Sequence, residues 1–358
     1  MIKLRKVGLT ALAGSLAAVT AQAGDLNVTG GAIMTMTTGD AGTNSSQTLG
    51  IKHDVKFSAS GDLDNGWSFS THVLHTDASA VSSAATVITM GSMGSIGIGV
   101  GGGTNVNGAY DEPLPTAYEE LSDMGYQSAA NYVGSNMDGN ALVYQAPSMD
   151  LMGASVSLGV EYSLQADGTD TTADGGGAAT SNVWGDGYGI GTKVSYDALT
   201  LGAYYGTRDN KNDQNSHDVK DEWNGSWHAV YSMGPVSVGY QEYFVDSGLT
   251  GSETVTTNAK TLGTSNGQWE GDQMSIAFNV NDDLSLSYTE SSETYDTRDG
   301  GAGSGSVADV TSDRSGVQLA YSMGAMSVKA YSMEVTKPNF DGDADDQKVN
   351  EIALGLAF

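Results

Sequence analysis

The sequence has no cysteine and few basic residues, and each shortage excludes a class of protein. Without cysteine, neither a disulfide framework nor a thiol nucleophile can form. The chain holds 15 Lys and Arg against 43 Asp and Glu, which gives a formal net charge of −28. Because nucleic-acid-binding proteins need a basic surface, we expect no nucleic-acid partner.

Long apolar runs are also absent. The longest run, Val7–Thr20, has about 14 residues, whereas a membrane-spanning helix needs roughly 20. It follows three basic residues and ends before Ala21-Gln22-Ala23, which is the pattern of a secretory signal peptide. We predict a signal peptide at 1–23 and one mature domain at 24–358. Removal of the peptide, which holds three basic and no acidic residues, changes the net charge from −28 to −31.

Apolar and polar residues alternate at period two from end to end of the mature chain. Residues 49–59 place Ile51, Val55 and Phe57 on one face, with Lys52 and Lys56 on the other. No apolar stripe of helical spacing and useful length follows the signal peptide. These patterns predict an all-β protein.

The breaks between the alternating runs are short and long in turn. Residues 147–152 form one of the short breaks, while 39–48, 77–83 and 103–139 are among the long ones. The breaks separate sixteen runs of about ten residues each, which is typical of a transmembrane antiparallel β-barrel. Such a sheet has to close, because unpaired backbone groups are costly in hydrocarbon. A barrel of this size leaves an aqueous channel.

The break at 103–138 is unusual in length and composition. Pro113 and Pro115 prevent it from continuing a sheet, and unstructured connections of this length are usually functional. We predict that it folds into the lumen as a constriction loop and sets the width and charge of the pore. Its candidate site residues are the carboxylates Asp111, Glu112, Glu119, Glu120 and Asp123.

The residues Ala21–Leu26, the acidic third loop and the closing Ile352–Phe358 resemble those of the general diffusion porins of Gram-negative outer membranes. The resemblance covers essentially the whole mature chain. It implies a homotrimer of 16-stranded barrels in the cell outer membrane, with short periplasmic turns and long extracellular loops. The final strand, ending in Phe358, is similar to the signal that the barrel-assembly machinery reads.

The same resemblance implies that the third loop lies opposite a wall of basic residues. Strand parity places five cations on the inward face, and these are our candidates for the basic pore wall: Lys52, Lys56, Lys193, Arg314 and Lys329. The implied function is passive diffusion of small hydrophilic solutes and ions. The charge of −31 favours cations, because a negative potential concentrates them at the mouth. The other implied partners are outer-membrane lipid and lipopolysaccharide.

Three further interpretations remain open from the sequence. The first is a substrate-specific channel on the same fold, and the second is a secreted, acidic, β-rich surface or adhesive protein. The third is Ca²⁺ binding by loop carboxylates, among which the third-loop acids are the best candidates. We expect no required cofactor and no enzymatic activity. Gly97–Gly102 fits a dinucleotide-binding pattern, but the helix that such a site needs does not follow it.

Overall fold

The computed structural model describes residues 26–41, 44–77, 80–137, 139–166, 184–211, 220–248, 262, 267–296 and 309–358. The signal peptide predicted at 1–23 lies outside these described residues. Among the residues that are described, no helix is both long and apolar enough to cross a membrane.

The described chain forms one antiparallel sheet that closes on itself. Strand β1 pairs with both β2 and β17, which joins the ends of the sheet. Segments β6 and β7 both pair with β8, on either side of Pro147, and so form a single interrupted strand. The result is the closed 16-stranded barrel that the alternation predicted. The segments are β1 (Asn27–Ala41), β2 (Asn44–Asp62), β3 (Ser68–Thr76), β4 (Ala80–Thr89), β5 (Ser95–Val100), β6 (Asn140–Gln145), β7 (Met149–Leu151), β8 (Ala154–Ser163), β9 (Trp184–Tyr196), β10 (Leu199–Asn210), β11 (Glu222–Met233), β12 (Val236–Asp246), β13 (Gln268–Asn279), β14 (Leu284–Asp296), β15 (Val310–Met323), β16 (Met326–Val335) and β17 (Gln347–Ala357).

The barrel is polar inside and apolar outside. Along β14, Ser287 and Thr289 are buried on the lumen side, while Leu286 and Tyr288 are exposed on the outer side. Large apolar residues such as Ile276 are likewise exposed around the outer face. A water-soluble monomer rarely exposes apolar surface on this scale. The outer face is therefore suited to contact with lipid or protein.

Two loops that we predicted to be long are short. Most of the predicted break at 39–48 is paired strand, with Gly39 opposite Ser46, and β4 already begins at Ala80 within the break at 77–83. The prediction was wrong because the polar residues there have the composition of a loop. Polar side chains are tolerated where a strand extends beyond the apolar band of a barrel.

One predicted short break is also misplaced. Residues 147–152 contain β7, and the chain reverses only at Met152 and Gly153, with φ angles of 57° and 87°. Both angles lie in the left-handed region that tight hairpin turns require. Pro147, which has no backbone N–H to donate, explains why the strand is interrupted without ending.

The C-terminal residue completes the seam of the barrel. The backbone N–H and C=O groups of Phe358 each form a 2.9 Å hydrogen bond with Gly30, and its side chain is exposed. Gly30 leaves room for the Phe358 ring, since an added Cβ would lie 2.8 Å from ring atom Cε2. The structure thus places this predicted assembly signal at the junction of β17 and β1.

Candidate functional site: the third loop in the lumen

The described residues of the connection between β5 and β6, 101–137 and 139, lie inside the barrel, as predicted. The connection contains 3-10 turns at Asn107–Ala109, Leu121–Met124 and Ser135–Met137 and one turn of α-helix, α1 (Ala129–Tyr132). We call residues 106–123 the outbound arm and residues 128–137 the return arm. The two arms are joined by a reversal at residues 124–127.

The outbound arm is hydrogen-bonded to successive strands of the barrel wall. Gln241 on β12 donates to the backbone oxygen atoms of Tyr110 and Asp111, at 2.8 Å in both cases. The hydroxyl of Ser275 on β13 donates to the Pro115 oxygen at 2.8 Å. The wall thus supplies the partners that the loop backbone, which belongs to no sheet, would otherwise lack.

The far end of the outbound arm is attached to β15 and β17. The side-chain oxygen of Gln318 accepts from the backbone N–H groups of Tyr118 and Glu119, at 2.8 and 3.0 Å. The Tyr118 hydroxyl donates to Glu351 Oε1 at 2.8 Å, and Thr37 on β1 donates to the other oxygen of that carboxylate at 2.7 Å. The arm therefore spans the lumen wall from β12 to the seam.

Two buried ion pairs hold the return arm. Glu222 on β11 lies 2.6 Å from Arg208 on β10 and also accepts a 3.3 Å hydrogen bond from the Tyr132 hydroxyl. Glu293 on β14 lies 2.6 Å from Arg314 on β15, with both side chains 1 % exposed. The same carboxylate accepts hydrogen bonds from the Ser128 hydroxyl, at 2.7 Å, and from the Ala129 N–H, at 3.0 Å. These carboxylates anchor the return arm to the wall.

Replacing Arg314 with Ala should destabilise the barrel by about 3–5 kcal/mol, because the charge of Glu293 would stay buried without its cation. The double variant Arg314→Met, Glu293→Gln removes both charges and keeps an oxygen that can accept from Ser128 and Ala129, so it should recover part of the loss. Thermal unfolding followed by circular dichroism in detergent checks both results. If Arg314→Ala unfolds at the temperature of the unmodified protein, the pair does not anchor the loop.

Inward-facing glycines let the third loop lie close to the wall. A Cβ added at Gly191 would lie 2.4 Å from the Tyr110 ring, and one at Gly239 would lie 2.7 Å from Leu114. At Gly99, it would lie 2.5 Å from the Thr104 backbone. Any larger residue would push the loop away from the wall. The sequence predicts this role for Gly97, Gly99 and Gly101, on and just after β5, but the alternating glycines at 185–191 on β9 carry the same signal and were not included in the prediction.

All five predicted acidic residues lie on the outbound arm, and the structure brings them close together. The carboxylates of Glu119, Glu120 and Asp123 each place an oxygen within 4.8 Å of the others. Glu112 accepts a hydrogen bond from the Ser122 hydroxyl and lies near enough to Asp111 for their charges to interact. The arm is therefore a compact patch of negative charge.

The protonation of this patch changes near neutral pH. Burial, together with nearby carboxylates and against the opposing hydrogen bond from Ser122, raises the pKa of Glu112 to about 8. Burial, together with the hydrogen bond and charge of Asp123, raises the pKa of Glu119 to about 7. Burial raises the pKa of Glu120 as well. The negative charge of the arm thus increases as the pH rises through this range.

Three of the five predicted cations lie beneath the third loop. Lys193 lies 6.0 Å from the centre of the Tyr110 ring, Lys329 lies 4.8 Å from that of Tyr118, and Arg314 is buried in its ion pair. They share the wall with the loop and do not face it from across the lumen. Parity predicts whether a side chain points inward, but not its position around the barrel.

The other two cations lie on β2, apart from the strands that anchor the loop. Lys52 is 3.9 Å from Asp54, which neutralises part of its charge. Lys56 lines a recess of about 430 Å³ together with Ser58, Ser70 and His72. These residues form a basic and hydroxyl-rich part of the inner wall.

Comparisons with known proteins support the fold. No family model matches the sequence, and no curated protein matches it. Among solved structures, a porin aligns with a TM-score of 0.59 at 14% identity, over 93% of this chain and 100% of that one. Salmonella typhi OmpF, in complex with daunomycin, aligns with a TM-score of 0.61 at 15% identity, over 92% and 97% of the two chains. An anion-selective porin from Comamonas acidovorans gives 0.59 at 12% identity, over 93% and 100%.

These alignments define the class of fold. The chain has the closed, antiparallel, 16-stranded barrel of the porins, with a long third loop inside the barrel. At such low sequence identities, the likeness concerns the fold. The function has to be argued from the residues of this chain.

Proposed function

We propose that the protein is an outer-membrane porin, a water-filled and non-enzymatic channel for passive diffusion of small hydrophilic solutes and cations. The observation that carries the proposal is the acidic third loop, which is bonded along the inner wall of a closed barrel with an apolar outer face. Such a barrel satisfies its backbone hydrogen bonds internally, as a membrane requires. Its polar interior gives solutes an aqueous path.

The proposed ion preference follows from where the charges lie. The outbound arm carries five carboxylates, three of which cluster at Glu119, Glu120 and Asp123, whereas the β2 wall offers Lys52, in part neutralised by Asp54, and Lys56. Charged patches at a constriction bias ion passage by sign. The anion-selective relative has the same fold, so the sign has to come from the charges. In this chain they favour cations.

A liposome-swelling assay tests diffusion through the proposed pore. Vesicles that contain the folded protein should swell in iso-osmotic solutions of small neutral sugars, at rates that fall smoothly with sugar size. Heat-denatured protein is the control and should give no swelling. Swelling with one sugar that saturates with concentration would instead indicate the substrate-specific channel. Vesicles that stay impermeable to every sugar would contradict the proposal.

Calcium binding at the third loop stays a prediction, with a defined candidate site. Within the described ranges, the carboxylates close enough to share one ion are those of Glu119, Glu120 and Asp123. Oxygen donors of this kind suit Ca²⁺. If the ion binds there, millimolar CaCl2 should lower the cation preference of the channel, and a chelator should restore it. A channel in which the three residues are neutralised should not respond.

We further propose that the wall formed by β17 and β1–β5 is the contact surface of a homotrimer. None of these strands contains a Tyr or a Trp. Lipid-facing walls carry such residues at both membrane interfaces, so their absence favours a wall that is covered by protein. The exposed tyrosines and tryptophans lie on the other strands: Tyr144, Tyr162, Tyr188, Tyr196, Tyr205, Trp223, Trp227, Tyr231, Tyr288 and Tyr321.

A pair of matched substitutions tests this surface. Ile51 on β2 and Ile276 on β13 are both exposed on the outer face, at 64% and 46%. Ile51→Arg should convert trimers into monomers, because it would place a charge in an apolar subunit contact. Ile276→Arg carries the same charge on the lipid-facing side and should stay trimeric. Light scattering in detergent measures the mass. The assignment is contradicted if the two variants have the same oligomeric state.

A further inference from the structure

The reversal of the third loop is bonded to three separate parts of the chain. The backbone N–H of Gln127 donates to Asn339 Oδ1 at 2.9 Å, in the connection between β16 and β17. The side-chain oxygen of Gln127 accepts from the Leu262 N–H at 3.3 Å. Its backbone oxygen accepts from Arg314 on β15. A single loop residue thus joins two other connections and one strand.

The connection between β16 and β17, residues 336–346, turns into the lumen to reach Gln127. Phe340 is completely buried and lies 6.4 Å from the ring of Trp269, measured between centres. Trp269 in turn lies 5.0 Å from Tyr295, and both are completely buried. Such aromatic packing holds the connection in a fixed position inside the barrel, beside the reversal.

The backbone of this connection has an unusual conformation. Lys337, Asn339 and Phe340 have φ angles of 44°, 57° and 54°. Residues with side chains rarely adopt the left-handed region, and they keep it only where surrounding contacts compensate the strain. Here the compensating contacts are the buried ring of Phe340 and the hydrogen bond from Gln127 to Asn339. The conformation therefore depends on contact with the third loop.

We propose that Asn339 and Phe340 are positioning residues of the pore, which pin the reversal of the third loop and thereby hold its acidic arm against the wall. The inference rests on the proposed channel function. Asp123, the last acid of the arm, lies four residues before Gln127. We call the contact of Asn339 and Phe340 with the reversal the pin. Without it, the reversal would lose one of its attachments and the arm would leave its position more often. The pin would thus set the frequency at which the open pore closes briefly, although neither residue belongs to the acidic patch.

Two substitutions of Asn339 separate the hydrogen bond from the backbone conformation. Both Gly and Asp tolerate a positive φ, but only Asp keeps an oxygen that can accept from the Gln127 N–H. We expect Asn339→Gly to raise the frequency of brief closures in single-channel records by about tenfold, the effect of losing a hydrogen bond worth roughly 1.4 kcal/mol. Asn339→Asp should close as rarely as the unmodified channel. Asp345→Ala, an exposed position in the same connection, is a further control.

A second readout does not depend on conduction. The chain has no cysteine, and Ala129 in the return arm is completely buried. In a single Ala129→Cys variant, the introduced thiol can react with a water-soluble maleimide only when the arm moves away from the wall. The reaction rate therefore measures how often the arm does so. We expect the rate to rise about tenfold when Asn339→Gly or Phe340→Ala is added. Phe340→Leu keeps much of the apolar packing and should give a smaller rise.

The two readouts distinguish failure of the pin from failure of the channel function. The pin is overturned if Asn339→Gly and Phe340→Ala label at the same rate as Ala129→Cys alone. If labelling rises but the unmodified protein conducts no current, the pin stands and the proposed function fails. Labelling that rises equally in Asn339→Asp and Asn339→Gly would also overturn the role of the hydrogen bond.

Discussion

Neutralising Glu119, Glu120 and Asp123 together should lower the cation-to-anion permeability ratio by about tenfold, since a unit charge near a passing ion contributes on the order of 1 kcal/mol even in water. The three carboxylates lie within 4.8 Å of one another, so their fields add at one place in the lumen. The variant Glu119→Gln, Glu120→Gln, Asp123→Asn keeps the size of each side chain. Reversal potentials under a salt gradient measure the ratio.

A matched control removes the same net charge from the outer face. Glu242, Asp272 and Glu290 lie on the adjacent strands β12, β13 and β14, with Glu242 opposite Asp272 in the register. Neutralising these three should leave the permeability ratio almost unchanged, because they do not face the lumen. An equal fall in the two triple variants would mean that the overall charge, and not the third loop, sets the selectivity.

Raising the pH from about 6 to about 9 should strengthen the cation preference. The pKa of Glu119 is raised to about 7 and that of Glu112 to about 8, so both carboxyl groups are largely neutral at the lower pH. They ionise as the pH passes through these values, which adds up to two negative charges to the outbound arm. The permeability ratio should therefore rise over this pH range. The direction follows from ionisation of an acid above its pKa.

Single substitutions test the contribution of each carboxyl group. Glu112→Gln and Glu119→Gln should each reduce the rise of the permeability ratio with pH. His72, on the recess of the β2 wall, also loses any positive charge as the pH rises. Repeating the titration in His72→Gln separates this contribution. A ratio that stays flat over this range, or falls, would contradict the raised pKa values.

Local alternation was enough to predict the barrel, because the side-chain period of a strand is two wherever the strand lies. The third loop could be placed in the lumen because its prolines exclude a sheet and its length is unusual for a simple connection. The loop boundaries near the N terminus were wrong, because the polar ends of β1 and β2 have the composition of loops. Composition alone therefore distinguishes the polar end of a strand from a loop poorly.

The anchoring of the loop could not be predicted from the sequence. Arg314 points inward, as parity required, but its partner Glu293 and the loop residues that share the pair depend on where β14 and β15 lie around the barrel. The contact between Gln127 and Asn339 joins residues 212 positions apart, and no local pattern indicates it. Alternation thus predicts whether a side chain points into the lumen or outward. Which side chains contact each other depends on the positions of the strands in the closed sheet.

The most direct measurement is the current through single channels of detergent-purified protein in a planar bilayer, under a salt gradient. The structure predicts stepwise conductance with a reversal potential of the cation-preferring sign, in groups of three steps if the protein is a trimer. Anion preference would contradict the proposed role of the acidic arm. Folded, membrane-inserted protein that conducts no current would contradict the proposed function itself.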